Sequence, residues 1–138
     1  MYRRAALALA ALLTASCAQQ APSELDGAWQ VQEIAGASLN ADERIHFSVE
    51  GETMRGSTGC NDFTASVSQF SGSISIGNVV ESDGVCPSEA AQTNEARFLG
   101  VLPSVTRFAR HGASLDLLGD PAQPDALITA RSDTSSTQ

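Results

Sequence analysis

Ile45-His46-Phe47-Ser48-Val49 sets three apolar side chains two residues apart, with a polar residue in each gap. Successive side chains of a strand point to opposite faces, so this spacing buries Ile45, Phe47 and Val49 together and leaves His46 and Ser48 outside. The same period recurs outward in both directions. Trp29-Gln30-Val31-Gln32-Glu33-Ile34 opens with it, residues 63–70 alternate around Ala65 and Val67, and Ile74-Ser75-Ile76 continues it. Residues 105–109, 114–118 and 126–130 repeat it further on. Gly, Asn and Asp separate these segments at close spacing. Short alternating runs joined by turn residues predict an antiparallel sheet with one buried and one wet face.

One stretch departs from this period. Residues 88–102 do not alternate, and Ala90, Ala91, Glu95, Ala96 and Arg97 favour helix. Phe98, Leu102 and Val105 stand at i, i+4 and i+7, with Pro103 expected to end the helix and Pro87 expected at its start. A single helix with one apolar edge needs a sheet to cover. The expected class is therefore α+β, mostly β: a curled antiparallel sheet or small barrel with one packed helix.

The N-terminus has a different character. Arg3-Arg4 precede an almost unbroken apolar run over residues 5–13, followed by Thr14-Ala15-Ser16-Cys17. A positive start, a short apolar core and small residues before a cut site are the parts of a secretory signal. The run falls short of the roughly twenty residues that span a bilayer. The cysteine directly after Ala15-Ser16 fits a lipoprotein processing site, making Cys17 the expected lipidated residue, although Thr14 stands where a Leu is usual. The competing reading is an ordinary signal peptide with an incidental cysteine. Ala18, in place of an Asp, favours the outer membrane over the inner. The expected organisation is a signal peptide over residues 1–16, a tether over 17–24, one domain over 25–131 and a disordered tail over 132–138.

Removal of the signal takes Arg3 and Arg4 with it. Six basic residues then face sixteen acidic ones, a net charge of about −10, and the chain has no lysine. So acidic a domain has no electrostatic footprint for phosphate backbones, which argues against nucleic acid as a partner. Anionic membrane surfaces would repel it as well, so the lipid on Cys17 is left as the membrane contact.

A family resemblance rests on an ordered set of motifs. Gly56-Ser57-Thr58-Gly59-Cys60-Asn61-Asp62-Phe63 resembles the G-x-x-GCN-x-F signature of the META/HslJ-like domain. Leu25-Asp26-Gly27-Ala28-Trp29 is similar to its opening strand, and Cys86 stands where the family has a second cysteine. Glu95-Ala96-Arg97-Phe98-Leu99 with Leu102 resembles its E-x-x-F-x-x-x-L helix, and Gly112-Ala113-Ser114-Leu115-Asp116-Leu117 its closing strand. The chain departs from the pattern at Ala65 and Val67, where the family has Gly and an aromatic, and at Ser82-Asp83-Gly84-Val85 before the second cysteine. The resemblance implies a small β-rich fold with a packed helix, often carried by envelope lipoproteins. Some members are linked to heat shock or antibiotic tolerance, and similar shapes occur in pilotin-like chaperones of secretion components. It implies no reaction, cofactor or catalytic residue.

The residues taken singly agree with that. Cys60 and Cys86 are an even pair in an exported chain, where disulfides persist; two free buried thiols are the alternative. Redox catalysis is disfavoured by their 26-residue separation, and zinc by the absence of close ligand pairs. A cysteine nucleophile needs a histidine base, yet His46 and His111 both read as exposed. Asp42, Glu43, Glu50 and Glu52 read as solvated turn charges, Gly56 and Gly59 precede no phosphate-binding helix, Asn61 reads as a turn residue, and Trp29 as core. No catalytic, cofactor or metal site is expected. Function is expected to be that of a non-enzymatic envelope lipoprotein with an accessory role in stress tolerance. Its membrane contact would be the lipid anchor, and its partner a lipid or an envelope protein. The rivals are a binding or chaperone-like module for a lipid tail or apolar peptide, held in a chamber lined by Trp29, Phe47, Phe63 and Phe98, and a protease inhibitor using the loop over residues 82–86.

Overall fold

The computed structural model describes residues 24–40 and 42–133. The expected signal peptide, Cys17, all of the tether but Glu24, and residues 134–138 lie outside the described residues.

Among the described residues, nine antiparallel strands follow in chain order: β1 (Gly27–Ile34), β2 (Ala37–Ser38), β3 (His46–Glu50), β4 (Thr53–Ser57), β5 (Asp62–Phe70), β6 (Ser73–Glu81), β7 (Arg107–His111), β8 (Ser114–Leu118) and β9 (Ala126–Ser132). From β3 to β9 each strand pairs with the next, β2 is a two-residue edge on β1, and β1 pairs with both β3 and β9. The sheet thus curls until its two ends meet. Its thinnest seam is between β6 and β7, where only Ser73 and Arg107 are in register. Beyond that point β6 packs on a 3₁₀ turn, Leu102–Ser104, instead of a strand.

The alternation places side chains as expected. On β3, Phe47 and Val49 are buried while His46 and Glu50 are exposed, and on β5 every second residue from Phe63 to Val67 faces inward. Two strands escaped the sequence pattern. β4 has Met54 as its one buried apolar residue, since Gly56 lies so near β3 that no side chain fits there. β2 is too short to show a period. The expected tail also begins later than its composition suggests. Ser132 closes β9, its N–H donating to the Ala113 carbonyl, and the Asp133 N–H donates to the Ala28 carbonyl. Closure of the sheet, a long-range requirement, keeps these polar residues in place.

The single helix among the described residues, α1, spans Glu89–Val101. Ser88 is its N-cap, its hydroxyl accepting from the Ala91 N–H at 3.0 Å. Pro87 therefore precedes the cap instead of opening the helix. Pro103, which lacks an N–H, falls in the 3₁₀ turn just past the helix end. The apolar edge is as expected, with Phe98, Leu102 and Val105 fully buried. Phe98 enters the curled sheet, its ring centroid 5.3 Å from Phe63 and 6.3 Å from Phe47.

Strand directions give the molecule two unlike ends. The β3–β4, β5–β6 and β7–β8 turns and the start of β1 lie at one end, the β4–β5, β6–α1 and β8–β9 connections at the other.

Candidate functional site

The β4–β5 connection, Thr58-Gly59-Cys60-Asn61, is the centre of the second end. It closes on itself through the Thr58 N–H donating to the Asn61 carbonyl at 2.9 Å. Gly59 sits at φ +86, where a side chain would be strained. The Thr58 hydroxyl oxygen accepts from the Asn61 N–H at 3.0 Å and from the Cys60 N–H at 3.3 Å. A hydroxyl has one proton, and here it is donated to the Glu95 carboxylate.

Glu95 reaches this turn from α1, one helical turn before Phe98. Its two carboxylate oxygens accept from Asn61 Nδ2 at 3.1 and 3.0 Å. The other end of the same amide holds a different segment. Asn61 Oδ1 accepts from the Gly84 N–H at 2.5 Å and the Ser82 hydroxyl at 3.1 Å. Gly84 presses so closely that a Cβ there would stand 2.9 Å from Asn61 Oδ1 and 3.2 Å from the Cys60 carbonyl oxygen. Cys60 and Cys86 form a disulfide, with Cα atoms 4.5 Å apart. One short turn thus grips the helix through Glu95 and the β6–α1 loop through Asn61 and the disulfide.

The expected motif residues come together here. Gly59, Cys60 and Asn61 build the turn, Cys86 and Glu95 join it, and Phe63 and Phe98 stack directly beneath. Asn61 does more than the turn-forming role expected of it: it is 7% exposed, and its side chain is spent on tertiary contacts. Thr58, Ser82 and Gly84 carried no signal that sequence reasoning could use, because their parts in the clamp depend on approach across long chain separations.

Chemically the arrangement is a fastener. The Cys60 and Cys86 sulfurs and a Glu95 oxygen lie within 4.8 Å of one another. A metal would need both sulfurs as thiolates, and they are bonded to each other. The 4.0 Å approach of Cys86 Sγ to Glu95 Oε1 is a contact and not a hydrogen bond, since a disulfide sulfur has no proton. Neither histidine reaches the cysteines: His46 begins β3, His111 ends β7 at the opposite end, and both are exposed. Asp42 and Glu43 lie at the clamp end and Glu50 and Glu52 at the other; Asp42, Glu50 and Glu52 are exposed and Glu43 is half-buried. Trp29 is core, as expected. It is 1% exposed, its Nε1 donates to the Leu25 carbonyl at 3.0 Å, and the Arg110 guanidinium lies 5.0 Å from its ring centroid.

The order and spacing of these residues have a counterpart among known domains. The model of the META domain matches residues 23–134. The chain belongs to the META domain family. The match takes in every residue of the clamp, and the residues that resemble the family's GCN turn, second cysteine and helix glutamate converge here as one structural unit. No curated protein matches the sequence. Two solved structures share the fold. A protein from Burkholderia xenovorans, determined by NMR, is 21% identical with a TM-score of 0.62, covering 80% of this chain and 84% of its own. Another protein determined by NMR is 13% identical with a TM-score of 0.62, covering 82% and 94%. At such identities the likeness concerns the fold alone.

Proposed function

We propose that this META-domain chain is a non-enzymatic, lipid-anchored protein of the bacterial cell envelope, held at the outer membrane facing the periplasm, with an accessory role in stress tolerance. The observation that carries the reading is Ala15-Ser16-Cys17 behind Arg3-Arg4 and the apolar run of residues 5–13. The domain's geometry is compatible with it. The described chain enters at the turn end of the sheet, where Arg110 Nη1 donates to the Glu24 carbonyl at 3.1 Å. Cys17 stands seven residues earlier, a reach of at most about 25 Å. In this reading the turn end faces the bilayer and the clamp faces away.

A non-catalytic role is supported by how the reactive side chains are used, with the domain's cysteines joined, its histidines apart and Glu95 occupied by Thr58 and Asn61. The lipid-tail or apolar-peptide reading requires a chamber among Trp29, Phe47, Phe63 and Phe98. A cleft of about 490 Å³ borders Trp29, Phe47 and Phe63; against that reading, all four side chains are at most 2% exposed and Phe98 packs against both Phe47 and Phe63, so the space among them is filled. The test is metabolic labelling with a fatty acid. Wild type should be labelled and sediment with membranes, whereas Cys17→Ala should do neither; labelling retained by the variant would overturn the assignment.

A further inference from the structure

We propose that the loop over residues 82–87 is a substrate-like inhibitory loop for a serine endopeptidase whose primary specificity pocket accepts a small aliphatic side chain, with Val85 as the inserted residue. The inference concerns the end of the domain away from the tether and stands whether or not Cys17 is lipidated.

Val85 is 96% exposed, the most exposed of the large apolar side chains among the described residues. Its own N–H and carbonyl make no hydrogen bond among the described residues. Both are therefore open to the strand-like pairing by which a protease holds a substrate backbone. No residue from 82 to 86 has positive φ.

What separates this loop from an ordinary substrate is that it is held on both sides of Val85. On the N-terminal side, the Ser82 N–H donates to the Asp62 carbonyl at 2.9 Å, the Ser82 hydroxyl donates to Asn61 Oδ1, and the Gly84 N–H donates to that same oxygen. On the C-terminal side, Cys86 is bonded to Cys60, and Ser88 caps α1. Both anchors end on the same turn, at Cys60 and Asn61, and Glu95 holds that turn. A flexible peptide loses rotamer and backbone freedom when it enters a cleft; a loop held in this way has already lost most of it.

The double anchoring also bears on the chemistry. The protease serine hydroxyl adds to the Val85 carbonyl carbon, its proton passes through the enzyme's base to the Cys86 nitrogen, and the Val85–Cys86 C–N bond breaks. This leaves a Val85 ester on the serine and a free amine on Cys86. That amine cannot diffuse away, because the Cys60–Cys86 disulfide keeps it beside the ester. It adds back, the peptide bond re-forms and the serine recovers its proton. The loop thus occupies the enzyme without being consumed. Asp83 and Glu89 beside it are exposed, which favours a partner with a basic rim.

The test titrates the oxidised full chain against pancreatic elastase and trypsin with chromogenic peptide substrates. Elastase should be inhibited at near-stoichiometric ratio and trypsin should not. Val85→Arg changes a fully exposed position, so its melting temperature should match wild type. It should weaken elastase inhibition by roughly thirtyfold or more and confer trypsin inhibition. Mass spectrometry of the elastase mixture should find a fraction nicked between Val85 and Cys86 that stays folded. Absence of elastase inhibition by the folded protein would overturn the proposal, as would inhibition unchanged by Val85→Arg, or rapid complete digestion of the loop. Cys17→Ala should inhibit as wild type does, so loss of the anchor reading and loss of this one are told apart.

Discussion

Asn61→Ala removes the amide that joins helix, turn and loop, and its cost can be worked from the bonds that disappear. The donation from Nδ2 to the Glu95 carboxylate is charge-assisted, a class that contributes about 1.5–3 kcal/mol. The bonds accepted from Gly84 and Ser82 add about 1 kcal/mol each. Glu95 is only half-buried and regains water when released, which favours the lower end. A loss of about 3 kcal/mol follows, or a melting temperature lower by roughly 12 °C for a domain of about 110 residues. Glu95→Ala removes the same central bond from the other side. The two substitutions should therefore not add: the double variant should be less destabilised than the sum of the singles by about 1–2 kcal/mol. Urea denaturation of the oxidised proteins, at unchanged m-value, measures all three. If Asn61→Ala costs under about 1 kcal/mol, or the singles add to within about 0.5 kcal/mol, the clamp is not the energetic unit described here.

Two further predictions concern the covalent and steric parts of the same end. Denatured, unreduced protein should show no reactive thiol from Cys60 or Cys86, and replacing both with Ala should cost about 3–4 kcal/mol, the chain-entropy value for a separation of 26 residues; two titratable thiols in the oxidised preparation would contradict the bridge. Gly56→Ala would set a Cβ 2.1 Å from the His46 carbonyl oxygen and 2.7 Å from Phe47 Cα. Both are backbone atoms that cannot rotate away, so strands β3 and β4 must part, with an expected loss of about 2–3 kcal/mol by denaturation. A loss below about 0.5 kcal/mol would mean that the two strands are not so closely apposed.

Much of the fold was legible because burial on a pleated strand is a local, period-two property. Ile45, Phe47 and Val49 announced β3 without help from the rest of the chain, and Phe98, Leu102 and Val105 marked the helix edge. β4 was not legible, since its one buried apolar residue leaves no period and Gly56 reports on a neighbour's distance. The same contrast holds within the site. Cys60 and Cys86 could be paired from their number and the export signal expected at the N-terminus, and Glu95 could be placed by its motif. That one amide, Asn61, would carry Glu95 on its nitrogen and the Gly84 loop on its oxygen could not be read from spacing, because the partners lie 34 and 23 residues away.

The chain by itself determined the alternation, the helix and its apolar edge, the acidic charge and the makings of an export signal, all of which depend on residues close in sequence. Tertiary structure decided where those elements meet. Closure of the sheet through β1 and β9 retained Ser132 and Asp133 in an otherwise polar tail. The clamp gathered Thr58, Asn61, Ser82, Gly84 and Glu95 into one network, and by holding both flanks of Val85 it left that side chain alone in solvent. The exposure follows from bonds made across long loops, whose closure a linear pattern does not encode.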